Sequence, residues 1–382
     1  MGTGLMRKKL VNLHLWLGLT VGLFWALQGL GGALLVFHRE IGRLGGPVVS
    51  TGPMASLDLI AERAGAAAGA PIERIGVFDS RGDLLLADYH DEAGTLRSKL
   101  IDAAQAEVVG EREAEPSRPT GNSFWPWLYR FHDSLAGGEE SAAIIGVSGF
   151  ILITSLVAGL WIAWPKRAAW RVMFDVRRWR STDQRLYGWH RAIGLIVGFA
   201  LLITVPCGIY LVFAADVRPQ IARLVPHSLP YSAVPVSILP DELITPQRAY
   251  QIAHAPFPEA AFVSVAMPSA KKPVYTLRLR QAAEPRAWAG TTSVVVDAAS
   301  GETLHVYDAV RAPLSNRVAD AAFPIHSGEI SGLPGRVLIM LAGLSLPTLY
   351  VTGIWAWFRR YKRQKKKRKT QPRAKLIPDV KT

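Results

Sequence analysis

Four stretches of this sequence carry no Asp, Glu, Lys or Arg: Leu10 to Phe37, Ala142 to Trp164, Ala192 to Ala215 and Val337 to Phe358. A helix needs roughly 20 apolar residues to cross a hydrocarbon core of about 30 Å, and each stretch supplies them. The pattern predicts an α-helical membrane protein with four transmembrane helices. The first stretch follows Arg7, Lys8 and Lys9, but it is too long for the apolar part of a secretory signal. No small-x-small cleavage site follows it, so it is expected to be retained as a span.

The chain is also internally repeated. Laying His14 on His190 without a gap pairs Gly18 with Gly194, Leu19 with Leu195, Val21 with Val197, Gly22 with Gly198 and Gly32 with Gly208. The same register pairs Leu35, Val36 and Phe37 with Leu211, Val212 and Phe213. A second register lays His132 on His326 and pairs Gly138 with Gly332, Ile145 with Ile339, Gly149 with Gly343 and Leu152 with Leu346. It continues through Thr154 and Thr348, Val157 and Val351, Gly159 and Gly353, and Trp161 and Trp355. Such self-similarity is read before any fold is assigned. It predicts two parallel repeats, each built as span, outer module, span.

The net charge of +14 falls largely in three places: Arg7 to Lys9, the loop from Lys166 to Arg185, and the tail from Arg359. One topology puts all three on one side of the membrane, and the positive-inside rule makes that side the cytoplasm. The basic residues are thus expected to meet membrane lipid and no nucleic acid. The expected division is a cytoplasmic N-terminus over 1–9, a first span over 10–37 and an outer module over 38–122. An interfacial, aromatic-rich segment follows over 123–141, then a second span over 142–164, a cytoplasmic loop over 165–187 and a third span over 188–215. A second outer module over 216–333, a fourth span over 334–358 and a basic cytoplasmic tail over 359–382 complete it.

Both modules read as small α+β units. The first has a helix at Leu57 to Ala68 and strands at Ile72 to Phe78, Asp83 to His90, Leu96 to Leu100 and Glu107 to Glu111. The second has a helix at Pro246 to His254 and strands at Ala261 to Met267, Val274 to Leu279, Thr292 to Asp297 and Thr303 to Tyr307. A Gly- and Pro-containing stretch after Glu40 through Pro53, and a Pro-rich one from Asp216 through Leu239, read as linkers.

Topology gives each repeated histidine a depth. His14 and His190 begin outward-running spans on the cytoplasmic side, whereas His132 and His326 precede inward-running spans on the outer side. Parallel repeats are related by an axis along the membrane normal, so each pair can face itself across that axis. Two facing imidazoles suit the two axial positions of a haem iron. His14 and His190 are the expected ligands of an inner haem, His132 and His326 those of an outer one. Gly18 and Gly194 follow their histidines by four residues, Gly22 and Gly198 by eight, and the missing side chains leave room for a flat porphyrin. Two b-type haems per chain are therefore expected. His38 has Ala214 as its counterpart and stands as an additional ligand, a propionate contact or a substrate-side group. A single cysteine, Cys207, excludes an intrachain disulfide and a thiol redox pair. His-Glu-x-x-His and strand-linked Gly-x-Gly-x-x-Gly are absent, against zinc hydrolysis and bound nicotinamide or flavin.

The motifs His14-Leu15-Trp16-Leu17-Gly18-Leu19, Phe131-His132, Tyr187-Gly188-Trp189-His190-Arg191, Ile325-His326-Ser327-Gly328 and Thr352-Gly353-Ile354-Trp355 resemble the PepSY-associated transmembrane proteins of bacterial inner membranes. The resemblance implies periplasmic PepSY-like modules and, for members of this size, a haem-dependent siderophore reductase of the ferrioxamine type. Its substrate would be a ferric siderophore of hydroxamate type, and its electron donor a membrane quinol or a cytoplasmic reductase. PepSY modules also occur as inhibitors or sensors, so a membrane-anchored regulator of a periplasmic protease is the alternative. A transporter fits less well, because the spans lack charged midplane residues and paired breaks.

Overall fold

A computed structural model describes residues 2–119, 123–165, 170–175, 177, 179–232, 242–286 and 288–370. Its helices are α1 (Gly2–Thr20), α2 (Gly22–Leu35), α3 (His38–Arg43), α4 (Leu57–Ala68), α5 (Phe124–Ser134) and α6 (Glu139–Ala163). They continue with α7 (Trp170–Met173), α8 (Thr182–Val212), α9 (Ala214–Leu224), α10 (Pro246–His254), α11 (Leu314–Ser327) and α12 (Gly332–Thr370). The strands are β1 (Arg74–Val77), β2 (Leu84–His90), β3 (Leu96–Asp102), β4 (Glu107–Glu113), β5 (Ala261–Ala266), β6 (Val274–Arg280), β7 (Thr292–Asp297) and β8 (Thr303–Tyr307).

The chain divides into two compact units. The first comprises Met1–Leu30, Ile151–Leu202 and Leu341–Thr382 and is built from helices. By length and composition, three helices among the described residues can cross a membrane, and a fourth span arises if α1 and α2 count as one. Those two meet at a bend of 66° around Val21, where the sequence suggested one straight helix over 10–37. Bends of this size go with glycine, and Gly18 and Gly22 flank this one. Trp161, Ile196, Phe199 and Val351 expose their side chains, as helices facing lipid do. The basic run after Arg359 continues α12 rather than starting a separate tail.

The second unit, Gly31–Phe150 and Ile203–Met340, holds all eight strands in one antiparallel sheet of order β4-β3-β2-β1-β5-β6-β7-β8. The two modules expected from the sequence are thus halves of one sheet. Each half is a meander of four sequential strands, and the halves join where Arg74, Ile75 and Gly76 pair with Ala266, Val265 and Ser264. Pairing these inner strands removes two edges that would otherwise be open to association.

One helix from each half packs on the sheet. Leu57, Ile60 and Ala64 of α4 and Ala249 and Ala253 of α10 are fully buried against Ile75, Leu85, Val265 and Leu277. Their starts are fixed by capping: Ser56 accepts from Leu59 N, and Thr245 accepts from Arg248 N with Pro246 in the first turn. The two starts also bond reciprocally, Leu57 N to Gln247 Oε1 at 2.9 Å and Gln247 N to Asp58 Oδ1 at 2.8 Å. The stretches read as linkers overlap α3 and α9.

Because Ile75 lies at the seam and is fully buried, Ile75→Ala should cost about 2–5 kcal/mol. Val108→Ala on edge strand β4, where the side chain is 38% exposed, should cost less than about 1 kcal/mol. Thermal unfolding of the full chain in detergent measures both; equal losses would contradict a shared core at the seam.

Candidate functional site

The four repeated histidines form two pairs, one in each unit. In the first unit the rings of His14 and His190 have centroids 6.2 Å apart. In the second unit those of His132 and His326 are 6.1 Å apart. His14 rides on α1, His190 on α8, His132 on α5 and His326 on α11.

Each ring is pressed by its Cε1 edge onto a glycine. A Cβ built on Gly159 would come within 2.9 Å of His14 Cε1, and one on Gly353 within 3.3 Å of His190 Cε1. In the second unit the distances are 2.9 Å from Gly32 to His132 and 2.8 Å from Gly208 to His326. Gly159 and Gly353 are repeat counterparts, as are Gly32 and Gly208. The contacts are therefore duplicated with the sequence: a side chain at any of these positions would push an imidazole away.

Hydrogen bonds then fix which nitrogen carries the proton. His14 Nδ1 lies 3.0 Å from the Ser155 carbonyl oxygen, and His326 Nδ1 lies 3.0 Å from that of Thr204. A carbonyl can only accept, so Nδ1 is the protonated nitrogen in both rings. His190 Nδ1 lies 3.1 Å from Thr352 Oγ1, whose own proton is donated to the Thr348 carbonyl at 2.7 Å. That hydroxyl consequently accepts from His190. In all three rings the Nε2 lone pair is left for a metal, the arrangement that orients ligating histidines.

The pairs fit a group that asks for two axial nitrogens and flat space beside them. Gly18 has nothing within 4 Å of a would-be Cβ, and Gly194 has only Leu349 Cδ2, at 3.8 Å. Both positions border open room one helical turn from their histidines. Gly22 and Gly198 do not: their Cβ atoms would meet Tyr350 Cδ2 and Leu160 Cδ2, each at 2.8 Å, so their missing side chains serve helix packing. Among the described residues no three His, Cys, Asp or Glu side chains gather as a metal site, and each pair offers two nitrogens.

His38 joins neither pair. At the start of α3 its Nδ1 bonds to the Leu35 carbonyl at 2.5 Å, and its ring lies 6.2 Å from that of Trp125. Burial, helped by the charge of Arg39, lowers its pKa to about 4, so it is neutral at ordinary pH. The ring-facing glycines were present in the sequence as repeat identities, although their partners were not. Ser155, Thr204 and Thr352 carry no such signal, because two of the three act through backbone carbonyls.

A family model described as the PepSY-associated TM region matches residues 11–360, a span that includes both histidine pairs. No curated protein matches the chain.

Replacing glycine by alanine inside a helix gains about 1 kcal/mol in propensity, whereas overpacking costs about 1–3 kcal/mol. Gly32→Ala, Gly159→Ala and Gly208→Ala should lower the melting temperature and displace the imidazole seated on them. At Gly353, where the contact is 3.3 Å, the two effects nearly cancel. Scanning calorimetry checks the contrast; uniform behaviour at all four glycines would contradict it.

Proposed function

We propose that this chain, which belongs to the PepSY-associated transmembrane family, is an oxidoreductase of the bacterial inner membrane that binds two b-type haems. It reduces iron(III) to iron(II) in a periplasmic ferric siderophore and so releases the metal for uptake. The same proposal includes four transmembrane helices in two parallel repeats, with both termini in the cytoplasm and the sheet in the periplasm. A haem bound at each pair supplies one-electron redox chemistry.

The observation that carries this reading is the spacing of the paired rings, 6.2 Å and 6.1 Å between centroids. Two metal–nitrogen bonds of about 2 Å, plus about 1.1 Å from nitrogen to ring centre at each end, ask for about 6 Å. Imidazoles stacked in van der Waals contact would lie closer.

The chain's own residues do the rest. The Ser155 and Thr204 carbonyls and the Thr352 hydroxyl hold the Nδ1 protons, which keeps Nε2 unprotonated and basic. Gly159, Gly353, Gly32 and Gly208 let each ring seat against a neighbouring backbone. Gly18 and Gly194 leave space beside the first pair, and the apolar helices around it exclude water.

Reduction is a chemically economical way to open a ferric chelate. Hydroxamate oxygens hold iron(III) far more tightly than iron(II), so one electron per iron loosens the complex without breaking a bond in the ligand. A quinol or a cytoplasmic reductase would supply the electron.

Absorbance of the detergent-solubilised chain, oxidised and dithionite-reduced, should show bis-histidine b-type haem with two per chain. His14→Ala or His190→Ala should lose one haem, His132→Ala or His326→Ala the other. The reduced protein should then convert a ferric hydroxamate to iron(II), detected with a ferrous-specific chelator. A colourless protein from haem-sufficient cells would sink the proposal and leave the protease regulator in its place.

A further inference from the structure

Three arginines of the sheet-bearing unit keep a buried N–H without a partner. The Nε atoms of Arg39 in α3, Arg112 in β4 and Arg286 between β6 and β7 are closed to solvent and make no hydrogen bond. Aromatic rings surround them instead. The Arg39 guanidinium lies 3.3 Å from the centre of Trp288, and Arg286 lies 5.8 Å from the same ring and 4.0 Å from Phe323. Arg39 and Arg112 lie 5.8 Å and 5.6 Å from Phe78.

Cation–π contacts of this kind offset only part of the cost of burying an uncompensated charge. The cluster therefore lacks its anion. Nearby carboxylates are already engaged: Asp79 with Arg43 and Arg81, Asp88 with Arg74 and Ser98, Asp320 with Arg218 and Tyr307. Glu284 is bound to Thr291 and Thr292. Glu329 is the one carboxylate whose field reaches both Arg39 and Arg286. Glu284, held only by uncharged donors, also faces Arg286, so the carboxylates around the three guanidinium groups meet their charge only in part. Burial and the neighbouring Arg112 pull Arg39 down to about 9, which marks a place where an anion would be welcome.

The cluster stands beside the second histidine pair. Phe323, under Arg286, lies one turn before His326 on α11. Tyr129, whose field reaches both Arg39 and Arg286, lies one turn before His132 on α5. We propose that Arg39, Arg112 and Arg286 form a carboxylate site that receives the two propionates of the haem held by His132 and His326. Guanidinium groups take carboxylates in pairs of charge-assisted hydrogen bonds, and the unpartnered Nε–H groups are donors for such bonds. The inference rests on the haem reading above. The same chemistry could serve a carboxylate of the iron chelate, and the test separates the two sources.

The full-length His14→Ala chain, prepared without haem, retains the second pair and is titrated with haemin and with haemin dimethyl ester, whose propionates are uncharged. It should prefer haemin by at least about tenfold. Adding Arg39→Gln or Arg286→Gln should remove most of that preference by weakening haemin while leaving the ester unchanged, and Arg286→Lys should restore part of it. Haem occupancy at the His14/His190 pair of the otherwise unaltered chain reports that the glutamine variants are folded. An undiminished preference in the variants overturns the proposal. So does loss of ferric citrate binding to the haem-loaded variants with the haemin preference intact, which would assign the site to the chelate. Failure of the unaltered chain to bind haemin at either pair would instead overturn the haem reading itself.

Discussion

The bond from each imidazole Nδ1 to a fixed acceptor is the interaction on which the site depends. The acceptors are fixed points of helices: the Ser155 and Thr204 carbonyls, and a Thr352 hydroxyl whose own proton is already committed. The bond settles the tautomer and the ring plane together. For His14, His190 and His326 the consequence is the same: Nδ1 carries the proton and Nε2 keeps its lone pair. The glycine under each ring makes that seat possible, since any larger residue at Gly159 or Gly208 would displace the imidazole from its acceptor.

Duplication solves a second problem as well. A four-stranded meander such as Arg74 to Glu113 has two open edges and little core of its own. Joining two of them at β1 and β5 gives one sheet with two outer edges, and α4 and α10 then share a single buried layer. The reciprocal bonds between Leu57, Asp58 and Gln247 belong to that junction. The sheet-bearing unit can thereby hold the helices α5 and α11, and their histidines, at a fixed spacing.

Much of this was legible in the sequence wherever a local signal existed. The helix Leu57–Ala68 was predictable to the residue because Ser56 caps it and Gly69, at φ +66°, ends it in the left-handed region. The pairing of the histidines followed from repeat arithmetic. The seam between β1 and β5 was not readable, since it joins residues about 190 positions apart that look like ordinary strand residues. Nor were α3 and α9: their short amphipathic turns carry Gly42 and Pro219, which read as linker, and packing overrides that composition. The bend at Val21 and the packing role of Gly22 and Gly198 were hidden for a related reason. A glycine in an apolar helix signals close approach without saying what approaches.

The arginines show what a repeat leaves open. In the haem reading proposed above, one iron would ask for two histidines, and duplication supplies them. A porphyrin's charge is one-sided, with both propionates on a single edge, and a matching site must break the repeat. The three arginines do so. Arg39 has Ala215 as its counterpart, the short turn after β2 that matches the Arg286 loop contains no arginine, and β8, which matches the strand of Arg112, contains none either. Histidines conserved between the repeats and arginines confined to one copy of each element are the pattern expected of a pseudo-symmetric frame holding an asymmetric ligand. The same division accounts for His38, which lies beside Arg39 and faces Ala214 in the other repeat. It belongs with the asymmetric set.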